Sequence, residues 1–321
     1  MKFRTEITIT PSVSKIDQHT KIFSMGSCFA HEMATRLSRV GIATLCNPLG
    51  ELYNPLSIER AVERICRREE VHEEELCQRG DVWFSYHTHG DFDGLCPQGV
   101  CQRINGALKG ADHWLQQAEV VILTLGTAWV YEREGEVVAN CHKMPAEEFR
   151  RRRLTVEEVV ASLERTIDML APRRVILTVS PVRHLADGLD GNSLSKAILR
   201  VAIQEVVERR GEAEYFPSYE ILMDDLRDYR YYGDDMTHPS RAAVEYIWER
   251  FVECHLSREA LSAAERFTRL SEAASHRPLH PESREYARFR EAMLERARGL
   301  VEEFPNNEVA SGLVESFSVE R

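Results

Sequence analysis

Three short, nearly unbroken apolar runs, at residues 21–25, 118–125 and 175–179, most restrict how this chain can fold. Between the runs lie longer segments, such as residues 29–40, whose apolar side chains recur at helical spacing. A strand that helices cover on both faces is apolar along its whole length, whereas a strand with one exposed face alternates. The alternation of such runs with helical segments therefore predicts β-α-β units around a mostly parallel sheet.

The chain beyond about residue 241 has a predominantly helical pattern, which is broken near Pro278. We therefore predict an α/β domain at residues 1–256 and a C-terminal helical extension at residues 257–321. A chain of this length can bury the large core that such a domain needs. Nothing in the sequence assigns a chemical role to the extension, and we expect it to dock a partner or a second copy of the chain.

The composition disfavours several classes of protein. The formal net charge of −11 argues against a general nucleic-acid binder with a basic face. No stretch approaches the ~18 apolar residues of a membrane-spanning helix, and the first residues lack a signal-peptide core. The eight cysteines are scattered without a CxxC pair, as in a cytoplasmic protein with reduced thiols. We expect no cofactor and no metal, because adjacent Cys141 and His142 cannot easily both bind one ion.

The loop after the first apolar run has the sequence GSCFA, at residues 26–30. In a parallel sheet, ligands bind where the strands end, so this loop is a candidate site. Ser27 and Cys28 stand where a helix begins, and the free N–H groups there stabilise negative charge and lower a thiol pKa. The alternative is structural: Ser27 caps the helix and Cys28 packs inside.

A second candidate is Asp235, which precedes His238 by three residues. An aspartate at this spacing can orient the imidazole and stabilise its protonated form, so that the histidine acts as a general base. Alone, the pair could equally cap a helix. The pair indicates a catalytic site only when a nucleophile lies on the same edge of the sheet.

These motifs together resemble the GSCFA family, which is grouped with the SGNH/GDSL hydrolases. The resemblance implies a flavodoxin-like three-layer α/β fold with a mostly parallel sheet, a serine nucleophile, a DxxH pair and an oxyanion hole built from Gly and Asn. The matching segments are residues 26–30, 47–55, 123–131, 138–143, 180–184, 195–197, 215–240 and 276–278.

The resemblance transfers unevenly to individual residues. Asp235 and His238 match the DxxH pair, and Gly50 matches the glycine of the oxyanion hole. Ala128 stands where the superfamily has its oxyanion asparagine, and alanine has no side-chain donor. Thr127 and Asn140 are the candidates to replace that donor, because losing one typically costs ~10²–10³ in rate.

The nucleophile stays open between two neighbouring residues. An ungapped alignment from Gly26 puts Cys28 at the nucleophile position, whereas superfamily chemistry favours the hydroxyl of Ser27. Either side chain would attack an acyl carbonyl and complete a catalytic triad with the DxxH pair.

Three further residues are candidates for substrate binding. Asn54 follows Gly50 and could complete the donor set, although Asn-Pro is also a common turn signal. His142 is expected to donate or accept hydrogen bonds in the site. Arg183 could hold an anionic or sugar group, or instead form an ion pair between parts of the chain.

The sequence thus predicts a hydrolase or acyltransferase that acts on an acyl ester, with a small metabolite or an O-acylated sugar as substrate. The sugar rests on analogy with the superfamily alone. Two alternatives remain: a non-catalytic module that binds such a ligand in a degraded site, and an enzyme that transfers acyl or peptidyl groups in a biosynthetic pathway.

Overall fold

The computed structural model describes residues 5–276 and 278–318. The start of the N-terminal segment, Arg277 of the motif at 276–278 and the last three residues of the predicted extension lie outside the described residues. The strands are β1 (Ile22–Gly26), β2 (Thr44–Cys46), β3 (Cys77–Arg79), β4 (Val82–Phe84), β5 (Val120–Leu125), β6 (Trp129–Arg133), β7 (Glu136–Val138), β8 (Arg150–Arg153), β9 (Arg174–Val179) and β10 (Ala213–Phe216). The helices are α1 (Cys28–Arg39), α2 (Pro55–Arg67), α3 (Pro97–Leu115), α4 (Val156–Leu170), α5 (Gly188–Arg209), α6 (Ser218–Glu220), α7 (Arg241–His255), α8 (Arg258–Ser275), α9 (Arg284–Glu303) and α10 (Glu308–Ser318).

The central sheet has the strand order β2-β1-β5-β9-β10, and every neighbouring pair is parallel. Numbered along the chain, its five strands follow the order 2-1-3-4-5 of flavodoxin-like folds. The strands of the three apolar runs lie side by side at its centre, which is why they are apolar throughout.

Helices cover both faces of this sheet. Side chains alternate along a strand, so Phe23 and Met25 pack against α2 to α5, while Ile22 packs against α1 and α7 on the opposite face. The predicted flavodoxin-like three-layer sandwich is therefore confirmed.

The loops at the carboxyl ends of the strands are tied to one another by backbone hydrogen bonds. The N–H groups of Gly126 and Thr127 donate to the carbonyl of Tyr53 at 2.7 and 2.9 Å. Arg183 N–H donates to the carbonyl of Thr237 at 3.1 Å. The segments that the sequence marks as candidates thus meet at one edge of the sheet.

Two antiparallel insertions stand beside this edge. The β3-β4 hairpin precedes α3, and a sheet of order β7-β6-β8 follows β5. The predicted hairpin of β6 and β7 is present, whereas β8 and α3 were not predicted from the sequence. In β8, the Arg151 guanidinium lies 4.4 Å from the centre of the Trp129 ring.

The C-terminal helical extension is also confirmed. Helices α8, α9 and α10 share a hydrophobic cluster, while Ala260 of α8 packs into the cluster of α1 and α7. The domain boundary at 256/257 stays a prediction. The extension is fastened to the α/β part by Asn307, whose Nδ2 donates to the carbonyls of Gln18 and Gly41 at 2.6 and 2.8 Å. No described helix is long and apolar enough to cross a lipid bilayer.

Candidate active site

The turn from β1 into α1 depends on glycine at position 26. Gly26 has a φ of +146°, and a Cβ added to it would lie 2.1 Å from the carbonyl oxygen of Thr124 on β5. Only glycine tolerates both this backbone conformation and so close an approach of two strands. The turn therefore fixes where the next two side chains point.

Ser27 and Cys28 point to different surroundings. Ser27 is the N-cap residue of α1, but its side chain makes no capping bond; the residue is 1% exposed, and Oγ has no hydrogen-bond partner within the described chain. Cys28 is half-buried and lines two cavities, both of which also contact His238. Of the two candidates, Cys28 is thus the one that faces open space beside a histidine.

The sequence predicts a lowered thiol pKa at this helix start, and the structure corrects that prediction. Burial raises the pKa of Cys28, and the nearby Glu51 carboxylate raises it further. The N–H groups of Phe29 and Cys28 and the Lys196 ammonium act in the opposite direction without overcoming burial. The resting residue is therefore a thiol, and attack on a carbonyl requires a base.

Asp235 holds His238 in a fixed orientation. The ring Nδ1 and Asp235 Oδ2 are 2.6 Å apart, and Oδ1 accepts from the N–H groups of Thr237 and His238 at 2.9 and 3.0 Å. The bond to the imidazole and then these two N–H groups lower the pKa of Asp235 to about 2. The carboxylate stays ionised, which leaves Nε2 of the ring to take up a proton.

The two cavities meet at this pair. We call one the aromatic cavity; its volume is about 390 Å³ and Trp129 and Tyr131 form part of its wall. The other, the charged cavity, has about 400 Å³ and is lined by Glu32, Arg36 and Arg241 among others. The residues common to both are Cys28, Val182 and His238. No hydrogen bond joins Cys28 to His238 among the residues described.

The predicted oxyanion residues are engaged elsewhere. Gly50 has a φ of +82°, and its N–H donates to the carbonyl of Asn47 at 2.9 Å to close a turn. The Thr127 hydroxyl lies 3.0 Å from Ser195 Oγ and accepts from the N–H of Trp129 at 3.0 Å. Ala128 is completely buried. The side chains of Thr127 and Ala128 therefore contribute to the fold of this loop.

Asn54, Asn140 and His142 likewise serve local structure. Asn54 caps α2 through Ser57, although it also lies at the wall of the aromatic cavity. Asn140 accepts from the N–H of His142 and lines neither cavity. His142 is buried, contacts Asp93 at 3.2 Å through Nδ1, and stacks on a ring in the β3-β4 hairpin.

Arg183 does line the aromatic cavity. Its guanidinium lies 3.8 Å from the centre of the Tyr232 ring, and Nη1 donates to the carbonyl of Met236 at 3.4 Å. Within the described chain it forms no ion pair, so the alternative of an interdomain ion pair finds no support. Its contacts brace the loop that carries His238.

The sequence did not single out two titratable residues, Lys196 behind this wall and His184 on it. Lys196 is 1% exposed, donates from Nζ to the carbonyls of Gly126 and Ser180 at 2.6 and 2.7 Å, and has its pKa lowered by burial to about 7. His184 lines the aromatic cavity, with its pKa lowered to about 4 by burial and then by Lys196 and His238. Both stand in motifs of the family resemblance, but neither periodicity nor spacing marks them as buried.

No group of three or more described His, Cys, Asp and Glu residues is arranged to hold a metal ion. Cys141 and His142 lie apart from Cys28, in the insertion beside the aromatic cavity. Cys28 and His238, which line the same two cavities, are the residue types that nucleophilic attack assisted by a general base requires.

Comparisons with known proteins identify the family. The model of the GSCFA family matches residues 21–251, and that of the GSCFA domain protein, C-terminal domain, matches residues 267–313. No curated protein matches. Among solved structures, the chain is similar to a carbohydrate esterase family 3 from Talaromyces cellulolyticus, with 9% identity, 72% of this chain and 94% of that chain covered, and a TM-score of 0.35.

It is also similar to an acetyl xylan esterase from the rumen bacterium Butyrivibrio proteoclasticus, with 11% identity and a TM-score of 0.36. That match covers 78% of this chain and 64% of the other. The first family model spans most of the chain and contains Cys28, Asp235 and His238, while the second lies within the helical extension. The chain therefore belongs to the GSCFA family.

Proposed function

We propose that this protein is an ester hydrolase or acyltransferase that works through an acyl-enzyme at Cys28. The supporting observation is that Cys28 shares the walls of both cavities with His238, which Asp235 orients at 2.6 Å. Ser27 supports the proposal less well as nucleophile, because its hydroxyl is buried away from both cavities.

In the first half-reaction, His238 Nε2 removes the thiol proton as Sγ attacks the acyl carbon. The new S–C bond places the carbonyl electron pair on oxygen as an oxyanion. When the oxyanion collapses, the bond from carbon to the leaving-group oxygen breaks, and that oxygen takes the proton from His238. Asp235 stabilises the imidazolium without accepting its proton.

In the second half-reaction, water or an acceptor hydroxyl gives its proton to His238 and attacks the thioester. Collapse of the second oxyanion breaks the S–C bond, and Cys28 regains its proton. Water yields a carboxylic acid, whereas an acceptor yields a new ester. The buried, protonated thiol suits this sequence, because the proton leaves only as the base takes it.

The two cavities support a substrate with two unlike halves. The aromatic cavity offers the Trp129 ring and Tyr131, which is 38% exposed, and suits a sugar ring or a small apolar group. The charged cavity offers Arg241, which forms no ion pair within the described chain, on the opposite side of the nucleophile. We therefore place the acyl group in one cavity and the alcohol in the other.

The test is a pair of neighbouring variants, Cys28→Ser and Ser27→Ala, assayed with an activated acetyl ester and with iodoacetamide. We expect Cys28→Ser to lose the burst of acyl-enzyme and the labelling at residue 28, read by peptide mapping because Cys66 and Cys96 are exposed as well, and Ser27→Ala to keep both. A burst that survives in Cys28→Ser but vanishes in Ser27→Ala would transfer the nucleophile to Ser27.

A second candidate is a binding module without turnover. The observation that favours it is that Gly50, Thr127 and Asn140 all use their polar groups locally. This function predicts that wild-type protein shows no burst, and that His238→Ala leaves labelling of Cys28 unchanged. Faster labelling in wild type than in His238→Ala supports the enzyme instead.

A further inference from the structure

The acyl-enzyme mechanism needs hydrogen-bond donors for the oxyanion. The side-chain donor of the superfamily has no counterpart at its usual position in this chain. The N–H groups of Cys28 and Phe29 at the start of α1 point towards the thiol and can serve. The superfamily's side-chain donor is replaced by Ala128, which is completely buried. A side-chain N–H elsewhere on the cavity wall would complete the hole.

His184 has the required feature. The described side chains that line the two cavities include one buried polar atom that lacks a hydrogen-bond partner. This atom is Nε2 of His184. Buried polar atoms are nearly always paired in native proteins, so an unpaired one on a cavity wall needs an explanation. Nε2 is buried where the ring stands, so a turn of the ring towards the aromatic cavity, which His184 lines, has to bring this atom to a partner that arrives with the substrate.

The surroundings anchor the His184 backbone and leave the ring room to turn. Its backbone N–H donates to Asn192 Oδ1 at 3.0 Å, and its ring meets the Tyr53 ring edge-on at 5.8 Å between centres. A Cβ on Gly126 would lie 3.3 Å from Nε2, so the missing side chain leaves the ring room. Gly126 belongs to the loop in which Ala128 stands at the position of the superfamily's asparagine.

The charge state of the ring suits a donor. Burial, the Lys196 ammonium and the imidazolium form of His238 lower the pKa of His184 to about 4. The ring is therefore neutral at pH 7 and carries one N–H. It cannot compete with His238 as the base, and it can donate a hydrogen bond without exchanging its proton.

Resting on the proposed acyl-enzyme at Cys28, we propose that His184 donates a hydrogen bond from Nε2 to the oxyanion, in place of the asparagine that Ala128 replaces. The hydrogen bond forms as the carbonyl oxygen becomes negative and is released when the oxyanion collapses. His184 is then a catalytic residue, and the N–H groups at the start of α1 are its partners in the hole.

The test compares His184→Met, which removes the donor at similar size, with His184→Gln, which keeps an N–H. Because the ring is neutral at pH 7, neither substitution changes the charge of the site. We expect His184→Met to lower kcat about 10²-fold or more with little change in KM, and His184→Gln to restore much of the loss. The matched control is His87→Met, because His87 also has its pKa lowered to about 4 but lines a different cavity. This variant should keep wild-type kcat.

Two further measurements separate the possible outcomes. A trifluoromethyl ketone adds to Cys28 and forms an oxyanion, so its affinity should fall in His184→Met by the same factor as kcat/KM. Iodoacetamide alkylation forms no oxyanion and should stay unchanged. Equal losses in alkylation and acylation, or an unchanged kcat, would overturn the role of His184. If wild-type protein forms no acyl-enzyme at all, the proposed function itself fails.

Discussion

The groups around the Cys28 thiol shift its pKa in opposite directions. Burial and the Glu51 carboxylate raise its pKa, whereas the N–H groups at the start of α1 lower it. Glu51 also accepts a hydrogen bond from the Tyr53 hydroxyl at 3.2 Å. A carboxylate beside a thiol disfavours the thiolate, and the thiol form reacts slowly with alkylating reagents.

Removing that carboxylate gives the first prediction at the residue scale. In Glu51→Gln, the negative charge that disfavours the thiolate is gone, so the pKa of Cys28 falls and more thiolate is present at any pH below it. We expect iodoacetamide to alkylate Cys28 several times faster at pH 8 than in wild type, and the midpoint of the rate against pH to move down. In wild type, the rate should still rise above pH 9.

The matched control is Glu32→Gln. Glu32 lines the charged cavity beside Cys28, but it is not among the charges that shift the pKa of the thiol. Its substitution should leave the alkylation profile unchanged. An equal acceleration in both variants would mean that the overall negative potential of the site, rather than Glu51, protects the thiol.

At this scale, the sequence identified the pair Asp235 and His238 because their spacing alone brings the two side chains together. It left Ser27 and Cys28 open, because their order along the chain does not tell which side chain the turn aims outwards. It assigned Thr127 and Asn140 to the oxyanion hole on residue type, whereas each satisfies a local hydrogen bond instead. Competition from nearby backbone groups is invisible in a sequence.

At the scale of elements, the contact between β1 and β5 positions Cys28, the proposed nucleophile. Ser27 N–H donates to the Thr124 carbonyl at 3.1 Å, and Gly26 N–H donates to Asn47 Oδ1 at 2.8 Å. These bonds anchor the turn to the two neighbouring strands on either side of β1. Cys28 therefore stands on a rigid support rather than on a flexible loop.

The second prediction concerns this contact. In Gly26→Ala, the new Cβ would lie 2.1 Å from the Thr124 carbonyl oxygen, with φ at +146°. We expect a loss of roughly 3 kcal/mol in the free energy of unfolding, because the strands must separate to admit it. Alkylation of Cys28 should change as well, since the helix start moves with the turn. Urea unfolding and the alkylation rate are the measurements.

Gly106→Ala is the control for that variant. Gly106 lies within α3, is exposed, and has open space where a Cβ would stand. Alanine should there raise the free energy of unfolding by about 0.5–1 kcal/mol, as expected for a helix interior. If Gly26→Ala were as stable as wild type, the close approach of β1 and β5 would not be required.

The elements with strong apolar runs were predictable, and the exceptions have identifiable causes. Helix α3 contains Gly99, Gly106 and Gly110, which weaken the helical pattern in the sequence. Strand β8 consists of four arginines, a sequence that has no strand pattern of its own. Its stability as a strand comes from tertiary contacts, such as Arg151 against the Trp129 ring, which no local propensity reveals.

At the scale of the whole molecule, buried side-chain hydrogen bonds help to join the helical extension to the α/β part. Gln18 Nε2 donates to the carbonyls of Val40 and Ala260 at 3.0 and 2.9 Å. Asn307 is 6% exposed and fastens α10 to the same region through Gln18 and Gly41. The extension therefore covers the side of the molecule where α1 ends, and its stability is coupled to that of the α/β part.

The third prediction tests this coupling with Asn307→Asp. The Asn307 Oδ1 accepts from the Ala310 N–H at 2.9 Å and caps α10, and aspartate keeps that acceptor. The lost Nδ2 leaves the carbonyls of Gln18 and Gly41 facing a carboxylate. We expect the free energy of unfolding to fall by roughly 3 kcal/mol, since a buried carbonyl without a donor costs ~1–3 kcal/mol. Urea unfolding of the full chain measures it.

Ser283→Ala provides the comparison, because Ser283 caps α9 by accepting from the Tyr286 N–H at 3.1 Å and stands at the start of a helix within the extension. It should lower the free energy of unfolding by about 1 kcal/mol, the usual value of a cap. A loss in Asn307→Asp that exceeds this value, together with an earlier unfolding of the extension, supports a junction made by side-chain donors. A loss no larger than that of Ser283→Ala would show that apolar packing alone joins the two parts.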